Sequence, residues 1–174
     1  VASFADPAIR PRLEVFGAGL PEFQARTARA IAAHEARQTD PEAAAHIMDG
    51  FMSMQFKGVE APGAFDRDER KIANDLLGFR AQIVFPTAAY NQVVAAHDPE
   101  VLLGGVRALN RGLVHYCEDD PRMLEIAYVP LRAGVDASLA IIDEALTAGT
   151  RVMAVDSIPP KGGPAFTHPD YDPV

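Results

Sequence analysis

Apolar and polar positions alternate in blocks along this chain, and three short apolar runs stand out. Ala81-Gln82-Ile83-Val84-Phe85 closes at Pro86, Leu124-Glu125-Ile126-Ala127-Tyr128-Val129 at Pro130, and Arg151-Val152-Met153-Ala154-Val155 at Asp156. The segments between them are too long for hairpins and carry apolar residues at helical spacing. Such a pattern predicts strands buried on both faces and paired in parallel through helical crossovers. The expected class is α/β, with a βαβαβ unit over 66–174. A helical and irregular front over 1–65 shares one domain with it.

The helices follow from caps and spacing. Asp66 predicts an N-cap with Glu69 three residues on, Gly78 a C′ stop, and Ile72, Leu76 and Leu77 the buried face. Asp98-Pro99 opens a long helix whose Leu102, Val106, Leu109, Leu113 and Tyr116 or Cys117 repeat helically and which ends at Asp119-Asp120-Pro121. Gly104, Gly105 and Gly112 would let that helix approach the sheet closely. A third helix follows Gly134, with Leu139, Ile142, Ala145 and Leu146 on one face and Gly149 at its end. In the front, Glu22–Gln38 is helical with Phe23, Ala30, Ile31 and His34 together, and a helix starting at Asp40-Pro41 carries Ala44, Ile47, Met48 and Phe51. Residues 1–21 are expected as turns, because Pro7 and Pro11 each bias their predecessors away from helix. Met52, Met54 and Phe56 fall in an irregular stretch and are expected to pack beneath it. The proline-rich tail 157–174 reads as a loop over the strand ends, leading toward a helix.

Composition narrows the class. Of 174 residues 48% are hydrophobic and 23% charged, enough for a core, and a net charge of −8 with scattered cations argues against nucleic acid. A single cysteine, Cys117, precludes an internal disulfide and suits a reducing, cytoplasmic setting. No run of about 18 apolar residues predicts a membrane span. The first residues show no signal-peptide pattern, and both ends read as cut from something larger.

Candidate chemistry is sparse. The five histidines His34, His46, His97, His115 and His168 form neither His-x-His nor an i, i+4 pair, so no metal-ligand motif is visible. Cys117 sits on an apolar helix face and reads as an inert thiol. No Gly-x-Ser-x-Gly elbow and no phosphate loop after a strand occurs. Asp119-Asp120 and Asp170/Asp172 read as helix exit and turn. In parallel α/β folds ligands meet the carboxyl ends of strands. Thr87, Arg132, Asp156 and Ser157 lie there, and His168 stands among polar neighbours near one such end. These five are the candidate substrate-binding residues; no catalytic residue is assigned.

Gly63-Ala64-Phe65-Asp66, Glu69-Arg70, Asp75-Leu76-Leu77-Gly78-Phe79-Arg80, Gln82, and Val84-Phe85-Pro86-Thr87 resemble the second-strand region of amidohydrolase-related proteins, in the branch of aminocarboxymuconate-semialdehyde decarboxylase. The resemblance continues through Asn110-Arg111, Cys117, Asp120-Pro121-Arg122, Tyr128-Val129-Pro130-Leu131 and His168-Pro169-x-Tyr171-Asp172-Pro173. It implies an incomplete (β/α)8 TIM barrel of about strands two to four, with an N-terminal helical insertion. It also implies part of a metal-dependent enzyme that hydrolyses or non-oxidatively decarboxylates a small carboxylic acid. That family's zinc or manganese ligands come from strands one, five, six and eight. None is expected on this chain, which alone would be inactive. Open sheet edges imply a homo-oligomer. The alternatives are a non-catalytic α/β module binding a small acid or a partner chain, and an unrelated α/β enzyme with a site at Thr87, Arg132 and Asp156.

Overall fold

The computed structural model describes residues 1–53, 58–157, 159 and 164–174, without the side chains of Ile47 and Phe51. Met54 and Phe56 therefore lie outside the described residues. Three strands, β1 (Gln82–Val84), β2 (Met123–Val129) and β3 (Val152–Val155), form one sheet in the order β1-β2-β3. Both pairings are parallel, with Ile83 beside Leu124 and Tyr128 beside Ala154. The expected α/β class and parallel strands are present; the sheet is open.

Seven α-helices surround it among the described residues: α1 (Arg10–Ala18), α2 (Pro21–Thr39), α3 (Pro41–Met52), α4 (Arg67–Leu77), α5 (Thr87–Val94), α6 (Pro99–Cys117) and α7 (Val135–Thr147). The caps behave as local chemistry dictates. Asp66 Oδ1 accepts from Glu69 N–H at 2.8 Å, Asp98 Oδ1 accepts from Glu100 and Val101 N–H at 2.9 and 3.1 Å, and Gly78 takes φ 66°. Among the described residues no helix is long and apolar enough to cross a membrane.

Helix α6 is the backbone of the core. Side chains alternate faces along a strand, so Val84 and Met123 point one way and meet Leu113 and Cys117 of α6. Burial pushes the Cys117 thiol up to about 12, with the nearby Glu125 charge adding to it. Val101, Leu102, Val106 and Leu109 join Val129, Leu131 and Ile141 in the main core.

Five expectations change. Residues 10–18 are helical, not turns: Pro11 lies in the first turn of α1, where its missing N–H would have had no helical partner anyway. The α6 glycines do not serve the sheet. A Cβ at Gly104 would lie 2.6 Å from Ile9 Cγ1, one at Gly105 would touch Val93 and Leu13, and one at Gly112 would touch Phe4. The N-terminal segment and α5 thus nest against α6. Ile72, Leu76 and Leu77 of α4 are exposed, whereas Glu69, Ala73 and Asn74 are buried. Leu146 of α7 is exposed too, with Ser138, Ile141 and Ala145 turned inward. Finally, the strands are not buried on both faces throughout. Ile83 and Leu124, on the face away from α6, are 54% and 43% exposed.

Helix α4 explains part of this. Arg70 Nε donates to Gln82 Oε1 at 2.9 Å, Arg122 Nη1 to Asp75 Oδ1 at 2.7 Å, and Arg67 Nη1 to the His115 carbonyl at 3.1 Å. Those partners are the start of β1, the start of β2 and the end of α6. The helix therefore crosses the amino ends of the strands, and its polar side makes the attachments.

Candidate functional site

The carboxyl ends of β2 and β3 bring four side chains together. Tyr128 Oη donates to Asp156 Oδ1 at 2.5 Å, and Arg132 N–H donates to Asp156 Oδ2 at 3.2 Å. The Tyr90 ring meets Tyr128 edge-on at 4.8 Å and 80°. Arg132 Nη2 reaches the carbonyls of Val94 (2.7 Å) and Ala96 (3.4 Å), while its buried Nε makes no hydrogen bond.

Local structure sets each position. Pro130 ends β2, and the 3-10 turn Leu131–Ala133 folds Arg132 back across the strand tips. Asp156 follows β3 directly. Tyr128 points away from α6 and is covered by Tyr90 of α5. Its own backbone is held by Asn110 of α6: Oδ1 accepts its N–H at 2.9 Å and Nδ2 donates to its carbonyl at 3.1 Å. Pairing with β1 has already ended at Val84–Glu125, so one amide side chain does for Tyr128 what a strand would.

The electrostatics disfavour ionisation of both phenols. Burial, then the hydrogen bond and charge of Asp156, raise the Tyr128 pKa. Burial and the Asp156 charge raise that of Tyr90 against the opposing pull of Arg132. Each oxygen of Asp156 thus holds a donor, and Arg132 pins the end of α5. The arrangement ties three strand-end segments together and can present a neutral phenol and a guanidinium edge to a polar group.

Of the five candidates, Arg132 and Asp156 meet here. Thr87 is the first residue of α5, its N–H donating to the Phe85 carbonyl at 3.0 Å. Ser157 is exposed at the following bend. His168 is exposed and caps the turn Pro169–Tyr171, its Nδ1 accepting from Asp170 N–H at 3.3 Å. Within the described tail, Phe166 and Tyr171 stack edge-on at 5.2 Å and pack on the core. Sequence pattern missed Tyr90, Asn110 and Tyr128, because a tyrosine inside an apolar strand reads as core.

A second polar cluster lies near the amino end of the sheet. Arg37 of α2 holds Glu69 of α4 with Nε–Oε1 and Nη2–Oε2 bonds of 2.7 Å each, and donates to the Glu60 carbonyl at 3.0 Å. Gly63 N–H adds a bond to Glu69 Oε2 at 3.1 Å. His34 Nδ1 lies 3.2 Å from Glu69 Oε1, off the line of a good hydrogen bond, and its ring meets Phe65 at 5.3 Å. Burial raises the Glu69 pKa, but the bonds from Arg37 and Gly63 outweigh it and leave the carboxyl below its usual range. Gly63 has φ 71°, and a Cβ there would lie 2.5 Å from Arg70 Cα. Tyr116 Oη donates to its carbonyl.

Among the described residues, no three His, Cys, Asp or Glu side chains converge as a metal site would require. The described side chains therefore do not by themselves make a site for a zinc or manganese ion. No family model matches the chain, and no curated protein and no solved structure matches it.

Proposed function

We propose that this chain is a non-catalytic α/β module whose sheet receives a partner chain. The open face at Ile83 and Leu124, on the side away from α6, carries this reading. Further along the same face Ile126 and Tyr128 are buried, so Ile83 and Leu124 form an exposed apolar spot at one end of a face that is otherwise covered, and such a spot is open to a partner. Gln82 N–H bonds the Arg122 carbonyl at 2.7 Å. Alternation along the strand then directs the Ile83 N–H and C=O to the opposite edge, where no described strand pairs. An added strand would find both backbone groups and apolar contacts there. The Asp156 cluster supports the same reading, since its carboxylate is satisfied internally.

Hydrogen exchange on the dilute chain tests this. The Ile83 amide should exchange near its free rate while the Tyr128 amide, held by Asn110, stays protected. A protected Ile83 amide in a monomer would mean that the chain covers its own edge, and the reading fails.

The amidohydrolase-like reading is favoured by the parallel order β1-β2-β3 and by Arg132 and Asp156 meeting at strand carboxyl ends. On that reading the chain is one arc of a metal-dependent barrel enzyme for a small carboxylic acid, with the ligands supplied from outside these residues. After equilibration with zinc or manganese and desalting, metal analysis should find no stoichiometric ion. One tightly held ion per chain would refute it.

A further inference from the structure

We infer that His34 is a pH-responsive latch that fastens α2 to the first turn of α4 once its imidazole is protonated. The latch is independent of the sheet face proposed for a partner.

The His34 ring sits between two carboxylates at the start of α4. Nδ1 lies 3.2 Å from Glu69 Oε1, and Nε2 lies 4.0 Å from Asp66 Oδ2. An ionised carboxylate only accepts, whereas a neutral imidazole has one N–H and one lone pair. In either neutral tautomer, then, a lone pair faces a carboxylate oxygen. Only the imidazolium has a proton for each side. Nδ1 is buried and has no hydrogen-bond partner, so water offers it no relief. The neighbouring charges favour the same form. Arg37 forks onto Glu69, so Arg37, Glu69 and Asp66 together leave a negative charge that an imidazolium cancels. The other charges nearby are engaged or exposed. On α4, Arg67, Asp68 and Arg70 are bound to Glu118, Lys71 and Gln82. Glu60, whose carbonyl Arg37 also holds, is paired with Arg29. Glu35 of α2 is exposed, as are Glu42, His46 and Asp49 of α3 and Glu14 of α1. Arg10 and Arg12 of α1 are bound to the Ala5 carbonyl and to Asp98. These polar ties matter because Ala30 is the only buried residue of α2. With so little apolar anchorage, the charge state of His34 decides how firmly the helix sits.

Histidine side chains change charge between about pH 5 and pH 8. Glu69, held below its usual range, keeps its charge over that window. Lowering the pH from about 8 to about 5.5 should therefore raise the hydrogen-exchange protection factors of the Ile31, Ala32 and Glu35 amides at least about fivefold, the scale of one partly exposed charge-assisted contact. His34→Gln, which takes up no proton, should show no such rise. His46 is present in both proteins, so comparing them cancels whatever it adds. Asp66→Asn keeps an N-cap oxygen for α4 but loses the charge facing Nε2, and it should shrink the rise. Protection in the wild type that stays flat or falls on acidification would overturn the latch, and that measurement needs no variant. An equal rise in His34→Gln would assign the effect to other groups and overturn it too. An undiminished rise in Asp66→Asn would overturn the two-sided contact on which it depends.

Discussion

At the scale of single residues, Glu69 shows how a charge can be buried and still stabilise. Its two oxygens take a guanidinium fork and a backbone N–H, with an imidazole alongside. The native carboxyl is held below its ordinary range. Its contribution to stability is therefore complete above the unfolded pKa, about 4.3, and disappears as pH falls through the lower native value. Thermal melts between pH 5 and pH 2 should show this loss, and Glu69→Gln should remove that share of the slope. At pH 7 the same substitution should cost about 3 kcal/mol in urea unfolding, because Arg37 keeps its charge in a buried place without a counter-ion. Asn110 works by a similar economy of groups, satisfying both backbone atoms of Tyr128 with one side chain.

At the scale of elements, α6 decides the packing. One side meets β2, and its glycines receive Ile9, Val93 and Phe4 from the N-terminal segment and α5. Gly104→Ala weighs two opposing effects. Alanine gains about 1 kcal/mol of helix propensity, but its Cβ would sit 2.6 Å from Ile9 Cγ1 and 3.0 Å from Cγ2. Ile9 is branched and bound to the start of α1, so overpacking of about 1–3 kcal/mol should win. Equilibrium unfolding should find the variant less stable than wild type, and a stabilised variant would show that Ile9 moves aside freely. The caps on α4 and α6 were legible because they depend on neighbours two or three residues away. The buried side of α4 was not. Its helical spacing nominated Ile72 and Leu76, yet Glu69 was drawn inward by Arg37, thirty-two residues earlier in the chain.

At the scale of the whole molecule, the three parallel strands and their helical crossovers were legible because period and length distinguish strands from helices without reference to distant residues. Part of the strand-end site was legible for the same reason: Arg132 and Asp156 follow directly from where the strands stop. Its other members were not, since Tyr90 and Asn110 come from helices whose orientation over Tyr128 no local pattern encodes. Thr87 and Ser157 occupy comparable strand-end positions and do not join the cluster, because chain position places a backbone and packing aims a side chain.

The amino-acid sequence on its own determined the three strands and the long helices between them, the principal caps, the α/β class and the acidic balance, all of which arise from interactions within a turn or two of chain or from simple totals. Only the tertiary structure decided which faces are covered. Burial depends on what arrives from elsewhere: α6 covers Val84 and Met123, while no described element buries Ile83 and Leu124 to the same degree.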